Sequence, residues 1–372
     1  MQDNIISTLV DCTVDSAILL GKLGIKFFKW TFDGWIDFNK IDFNPLWTET
    51  KLYNSNMRNK PILKKENHSE KTDVYIFTIP TGLSITDFHK RREQIAQFLH
   101  TDLQHLKIEN KNNLACITVY KEDKIEYFYE DYEFPITMDI KIPLGINLDN
   151  WSVVYWQPLD PSEVHLFCGG STGSGKSNAI NIILSYLNEH RNDVEFYLQD
   201  CKRVDLLPFK NSNKTIYYNS GKDYAEETVS LLVDKMNARY KYLGENNLKT
   251  MVECRRKDKP KYIFYVIDEL NIFDPKKDPG FYENLALLLS QGRAAGIVCI
   301  ISSQSCYSGL LPGDMKNNIN ATLGLKSKTK EASKVICGDF EELVNLRGKG
   351  HAKFFTSDRI EELQVFNTKS RN

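Results

Sequence analysis

The chain has 372 residues, 41% hydrophobic and 12% aromatic; this globular composition excludes a wholly disordered chain and, at roughly 100–200 residues per domain, leaves room for two or three domains. Lys plus Arg number 48 against 49 Asp plus Glu, a formal net charge of −1, so no overall field draws the chain onto nucleic acid or an acidic membrane, and a polyanion partner must be met by local patches. The eight cysteines (Cys12, Cys116, Cys168, Cys201, Cys254, Cys299, Cys306 and Cys337) have no C-x-x-C spacing and no closely spaced histidines, which argues for buried free thiols in a reducing cytoplasm.

At the N-terminus the apolar runs 5–10 and 16–21 are broken by Asp11, Asp15, Lys22, Lys26 and Lys29. No window approaches the roughly 18 uncharged residues of a spanning helix, and no cleavage pattern is present. Lys22, Lys26 and Lys29 recur at helical spacing beside Leu19, Leu20, Leu23, Ile25, Phe27, Phe28 and Trp30. That pattern fits an interfacial helix at the inner face of a membrane, and equally a helix docked on the protein's own core or on a partner. Residues 1–70 read as an N-terminal extension whose aromatics (Trp30, Phe32, Trp35, Phe38, Phe43, Trp47) must pack on something, ending in a polar, mobile linker over 54–71.

Residues 71–160 read as a small α+β domain. A strand at 74–79, a turn at Pro80-Thr81-Gly82 and a capping box at Ser84 to Asp87 opening a helix to about residue 99 precede strand-like runs at 106–108, 114–120 and 125–129. From 161 to 372, short apolar strands alternate with longer helical patterns, the signature of an α/β domain with a mostly parallel sheet. The runs 164–168, 194–198, 262–267 and 297–302 are continuously or nearly apolar, as strands covered on both faces should be. Between them Val229, Leu232, Val233, Met236, Tyr240 and Leu243 fall on one face of a helix.

Gly170-Ser171-Thr172-Gly173-Ser174-Gly175-Lys176-Ser177 fits G-x-x-x-x-G-K-[ST] and sits between a strand ending at Cys168 and a helix starting near Lys176. The glycines let consecutive N–H groups turn inward around phosphate oxygens, the helix N-terminus adds its positive dipole end, Lys176 meets the β- and γ-phosphates, and Ser177 ligates Mg²⁺. ATP and Mg²⁺ are the implied cofactors. A second motif, the apolar run 262–267 ending in Asp268-Glu269, has the form of a Walker B segment. Asp268 is placed to hold Mg²⁺ through water. Glu269, pointing to the other side, is placed to polarise the attacking water as a general base. The next strand ends in Gln304, at the carboxyl edge where ligands collect in open α/β sheets, where it either orients water near the γ-phosphate or closes a turn.

These stretches resemble the FtsK/SpoIIIE-type DNA translocases over roughly residues 74–356. The resemblance is carried by residues 168–177, Asp200-Cys201-Lys202, Met236-Asn237-Ala238-Arg239-Tyr240-Lys241, Gly292-Arg293-Ala294-Ala295-Gly296-Ile297 and Met315-Lys316-Asn317-Asn318-Ile319. The string around Arg293 is the most family-specific of them. The resemblance implies a RecA-like P-loop NTPase domain preceded by a small α+β domain, acting as an ATPase motor in a ring, usually hexameric, around double-stranded DNA. Thr322 and Lys334 stand where family members commonly carry arginine. With about twenty residues after the last motif, the expectation is an architecture without the DNA-reading winged-helix domain and the multi-span membrane anchor of the cell-division members. In this trimmed form it is most similar to the coupling or transfer ATPases of Gram-positive conjugative elements and plasmids, with relaxase or transfer-channel proteins as further partners.

The expectation is therefore a DNA-moving ATPase. Two alternatives are a nucleotide-gated docking protein that recruits a DNA–relaxase complex to a secretion channel, and a protein-exporting ATPase of the type VII kind. Ring ATPases usually need a cation delivered across the subunit boundary, and Arg293, in a Gly-flanked turn before a central strand, is the first candidate, with Lys334 second. For DNA, a ring points the same loop from every subunit into one pore. Two loops qualify: 274–280 with Lys276 and Lys277, and 305–316 with Lys316.

Overall fold

In a computed structural model, residues 41–54, 59–121, 126–254, 260–307, 309–338 and 341–369 are described. The helix expected within residues 1–40, and its membrane or partner contact, lie outside them. Backbone contacts divide the chain into two units, Met1–Lys121 and Glu122–Asn372.

In the first unit, helix α1 (Asn44–Glu49) precedes strands β1 (Leu63–His68) and β2 (Thr72–Thr78), helices α2 (Ile85–His89) and α3 (Arg92–Phe98), and strands β3 (Leu106–Lys111) and β4 (Leu114–Tyr120). The strands form an antiparallel sheet in the order β1-β2-β4-β3. The capping-box expectation is met where Asp87 Oδ2 accepts the Ser84 N–H at 2.9 Å. The single helix expected to residue 99 is instead two, broken at Lys90 and Arg91, where the Arg91 side chain turns to donate to Thr50 O at 2.8 Å. The described residues of 41–70 differ from an extension and linker: Phe43 and Trp47 stack edge-on against Phe77 at 4.8 and 5.0 Å in a core with Leu46, Phe88 and Ile117, and β1 lies inside the expected linker.

The second unit is one ten-stranded sheet in the order β6-β5-β14-β13-β12-β7-β11-β10-β8-β9. Its strands are β5 (Ile142–Asn147), β6 (Val153–Trp156), β7 (Leu166–Gly169), β8 (Val194–Asp200), β9 (Thr215–Ser220), β10 (Tyr262–Ile267), β11 (Ile297–Ser303), β12 (Ala321–Leu325), β13 (His351–Phe355) and β14 (Ile360–Val365). Its helices are α4 (Lys176–His190), α5 (Ala225–Glu245), α6 (Pro279–Gln291), α7 (Gly313–Asn317) and α8 (Lys330–Cys337). From β12 to β9 neighbouring strands run parallel, and β13, β14, β5 and β6 extend the sheet antiparallel.

This division departs from the expected boundary near residue 160, because β5 pairs with β14 and β6 with β5, which commits 142–156 to the large sheet. The run expected as a strand at 125–129 is not one over its described part: Phe128 makes a single bridge to Asn367, and Tyr129 enters a 3₁₀ turn.

The continuous apolar strands are explained by their two covers. Phe264 and Val266 of β10, with Phe196, Leu198 and Ile300, face a core shared with Ile180, Ile183 and Leu187 of α4. Ile263, Tyr265 and Ile267, with Tyr197 and Ile301, face the other core, shared with Val229, Leu232 and Met236 of α5 and Leu285 and Leu288 of α6. Alternate residues thus point to opposite faces, and both are dry. All parallel strands end on one edge of the sheet, and the polar residues that follow β7, β8, β10 and β11 converge there. Among the described residues no helix is long and apolar enough to cross a membrane.

Candidate nucleotide site

The loop 170–175 joins β7 to α4, and two of its glycines set its course. Gly173 and Gly175 have φ of 75° and 111°, in the left-handed region that favours glycine. A Cβ on Gly175 would also stand 2.7 Å from the Gly350 nitrogen. The loop is pinned from outside: Ser171 N–H and Oγ both donate to Lys326 O at 2.9 Å, and Gly350 N–H donates to Ser174 O at 2.7 Å. Gly350 follows the last parallel strand by a long interval in sequence, and no motif pointed to it.

Lys176 is buried, its ammonium donating to Gly170 O at 2.9 Å, and burial holds its pKa below the ordinary lysine value. Ser174 Oγ is buried with no hydrogen-bond partner among the described residues. A loop that encloses an ammonium and an unsatisfied hydroxyl at a helix N-terminus matches what a phosphate chain requires.

Asp268 and Glu269 follow β10, separated from β7 by β11. Asp268 is 1% exposed, and its carboxylate accepts the main-chain N–H groups of Cys201 at 2.6 Å and Lys202 at 3.3 Å. Burial dominates those two bonds and pushes its pKa up to about 6. A neighbouring cation would relieve that penalty. Glu269 is held on both oxygens: Oε1 accepts Ser303 Oγ at 3.0 Å and Gln304 N–H at 2.8 Å, and Oε2 lies 3.3 Å from Lys202 Nζ. Gln304 Oε1 in turn accepts the Thr172 hydroxyl at 2.8 Å. Ser177 Oγ donates to Asp205 Oδ2 at 2.9 Å, which also accepts Lys202 Nζ at 3.1 Å. Burial opposes the charge on Lys202, but Glu269 and Asp205 more than offset it and hold its pKa above the ordinary value.

Among the described residues no three His, Cys, Asp or Glu side chains converge as a metal cage. One hydroxyl at Ser177 and one carboxylate at Asp268 is the sparse set on which Mg²⁺ is held when phosphates and waters complete its shell. The residues therefore fit ATP with Mg²⁺. Gly170 to Ser177, Asp268, Glu269 and Gln304 are brought to one edge of the sheet. Lys202 and Asp205 join them without having been marked as site residues. The sequence held part of the signal, since 194–198 reads as another strand of the same parallel sheet whose carboxyl end reaches this edge; that it lies beside β10 is decided by the pairing.

Arg293 is elsewhere. It precedes β11 at the opposite edge of the sheet, the strand itself spanning about 20 Å from Ile297 to Ser303 at roughly 3.3 Å per residue. Lys276 and Lys277 are exposed in the loop after the 3₁₀ turn that follows β10. Lys316 is half-buried in α7, its ammonium donating to Val335 O at 2.9 Å. Lys334 is exposed on α8. Thr322 lies within β12, paired with Phe167 and Phe355.

Residues 136–305, which contain the P-loop, Asp268, Glu269 and Gln304, match the FtsK/SpoIIIE family. The DNA translocase FtsK of Chlorobaculum tepidum is 28% identical over 235 residues, 59% of this chain and 28% of that protein. FtsK of Staphylococcus aureus is 26% identical over 223 residues, 56% of this chain and 28% of that protein. The chain spans less than a third of the length of these relatives. Among solved structures, the pCW3 conjugation coupling protein TcpA, in a monomer form with ATPγS, superposes with a TM-score of 0.60 at 20% identity, covering 88% of this chain and 94% of that one. EssC from Geobacillus thermodenitrificans, ATPases 2 and 3, gives 0.55 at 18% identity over 65% of this chain and 49% of that one. These likenesses show the fold: a RecA-like P-loop domain on a mixed, largely parallel sheet.

Proposed function

We propose that this chain is an ATP-dependent motor that moves double-stranded DNA, with Mg²⁺ as its metal and a ring of copies as its working form. The observation that carries the reading is the meeting of Lys176, Asp268, Glu269 and Gln304 at the carboxyl ends of three adjacent strands, β7, β10 and β11. Mg-ATP would supply the phosphoryl group and a cation to neutralise charge on it. Lys176 and the loop amides would hold the phosphates, and Ser177 and Asp268 would hold the metal. Glu269 takes a proton from the attacking water, with the γ-phosphoryl–oxygen bond breaking as the new one forms. Gln304 orients that water. DNA rather than protein is the favoured cargo because the sequence relatives are DNA translocases.

Arg293 cannot reach its own site from the opposite edge of the sheet, which suits a residue offered to a neighbouring subunit. Lys276 and Lys277, exposed on a loop that leaves the nucleotide edge, are the favoured DNA contacts. The setting we propose is transfer of a plasmid or conjugative element, the context in which TcpA, a protein of this fold, acts as a coupling protein. The seven described cysteines are all free, which suits a reducing cytoplasm. The test is ATPase rate with and without linear duplex DNA, beside assembly state by light scattering. Stimulation that tracks assembly is expected; ATPase activity indifferent to DNA would sink the motor reading and leave the nucleotide-gated docking protein.

A further inference from the structure

Four side chains form an unbroken polar chain across the candidate site. Ser177 Oγ donates to Asp205 Oδ2 at 2.9 Å, Lys202 Nζ donates to the same oxygen at 3.1 Å, and the same ammonium lies 3.3 Å from Glu269 Oε2. The other Glu269 oxygen is taken by Ser303 Oγ and Gln304 N–H. The Glu269 side chain is 7% exposed and that of Lys202 25%, so water screens this pair only partly.

A carboxylate engaged on both oxygens, one of them by an ammonium, is poorly disposed to accept a proton from water. Lys202 must leave Glu269 before that residue can serve as a base, and the acceptor already within reach is Asp205. Asp205 Oδ2 accepts both Lys202 and Ser177, however, and the second donor is the hydroxyl placed to ligate the metal. If Ser177 turns its hydrogen away from Asp205 on giving its oxygen to a cation, the Asp205 charge is left to Lys202 alone.

We propose that Asp205 and Lys202 are positioning residues that couple occupancy of the metal site at Ser177 to release of the base Glu269. Lys202 is a latch on Glu269, and Asp205 is the acceptor that draws it off. The coupling rests on the nucleotide-site reading above and adds to it the order of events: cation first, free base second. It also gives a reason for an acidic residue three positions after Lys202, just past the end of β8.

The test is a double-variant cycle on the full chain. Asp205→Asn weakens the acceptor and should leave the latch on Glu269: kcat falls by about 10-fold or more, and KM stays within about 3-fold. A fluorescent ATP analogue titrated with Mg²⁺ and with EDTA reads binding independently of turnover. Its Mg²⁺-dependent affinity should be unchanged or tighter, because the bond that orients the Ser177 hydroxyl toward Asp205 is weakened. Lys202→Met in the Asp205→Asn background should restore kcat to within about 3-fold of Lys202→Met alone, since no latch remains to be drawn off. Lys202→Arg, which keeps a cation there, should not restore it. Thermal melts of each variant separate misfolding from these effects.

The proposal is overturned if Asp205→Asn loses the Mg²⁺-dependent part of the affinity, which would make Asp205 a metal ligand. It is overturned equally if the double variant is slower than either single one, which would make the two residues independent contributors to turnover. If the unaltered chain neither binds nor hydrolyses ATP, the nucleotide-site reading itself fails, and the coupling with it.

Discussion

The Thr172 hydroxyl donates to Gln304 Oε1 at 2.8 Å, joining the P-loop to the end of β11 by one side-chain bond. The Gln304 main chain at the same time donates to Glu269. Gln304 therefore touches both the loop that would hold the γ-phosphate and the base that would act beside it. Gln304→Ala removes the side-chain bond and keeps the main-chain one. We expect nucleotide affinity to hold within a few-fold while kcat falls by about 10²–10³-fold, the scale of removing one preorganised polar group. Equal falls in affinity and kcat would assign Gln304 to loop structure alone.

Lys176 and Glu269 separate binding from turnover. Lys176→Ala removes the ammonium enclosed by the P-loop and should abolish measurable nucleotide binding. Glu269→Gln keeps the shape and the bond from Gln304, so binding should stay nearly intact while turnover drops by roughly 10²–10⁴-fold. Isothermal titration beside steady-state ATPase measurements reads both. Loss of binding in both variants would contradict the assignment.

Stability should fall with acid because of His165. Its ring is fully buried, Nδ1 accepts the Cys299 N–H at 2.9 Å, and burial lowers its pKa from 6.5 to about 4. The unfolded chain takes up this proton near pH 6.5 and the folded one only near pH 4. The contribution is therefore fully present above pH 6.5 and is lost as pH falls through that window, up to about 3 kcal/mol. Urea midpoints at pH 7.5 and pH 5 measure it. His165→Gln should be less stable at pH 7.5 and show a flatter pH dependence; an unchanged slope would mean that His165 is not the group responsible.

Arg293 should act only in assemblies. Arg293→Ala is expected to bind nucleotide normally and to lower kcat by at least about 10-fold, since a trans-acting arginine contributes through the transition state. Mixing it with Glu269→Gln subunits should recover activity, each variant supplying what the other lacks. Full specific activity of Arg293→Ala at every protein concentration excludes the role.

Lys276 and Lys277 should account for more DNA affinity than Lys316, whose ammonium is already given to Val335 O. The Lys276→Ala/Lys277→Ala double variant should weaken duplex binding alike for all sequences. It should also reduce the salt slope by up to about 0.9 for each phosphate no longer neutralised. Lys316→Ala should lower the melting temperature and leave the slope unchanged. The reverse pattern would move the DNA-binding surface to α7.

The local signals in the sequence determined the parallel strands at the centre of the large sheet, the helix that carries Val229 to Leu243, and the placing of Lys176, Asp268, Glu269 and Gln304 at strand ends. Those residues are legible because glycine spacing, apolar runs and the carboxylates that end them are properties of short windows, and because parallel strands must all deliver their carboxyl ends to one edge. The tertiary structure decided what depends on pairing across distance. β5 and β6 belong to the large sheet because β14, more than 200 residues later, pairs with β5. Phe43 and Trp47 are core residues because Phe77 stands opposite them. Lys202 and Asp205 enter the site because β8 is the neighbour of β10, and Lys316 turns away because α8 offers it the carbonyl of Val335. Each is a choice of partner, and partner choice is set by register and packing among segments far apart in the chain, which no local periodicity records.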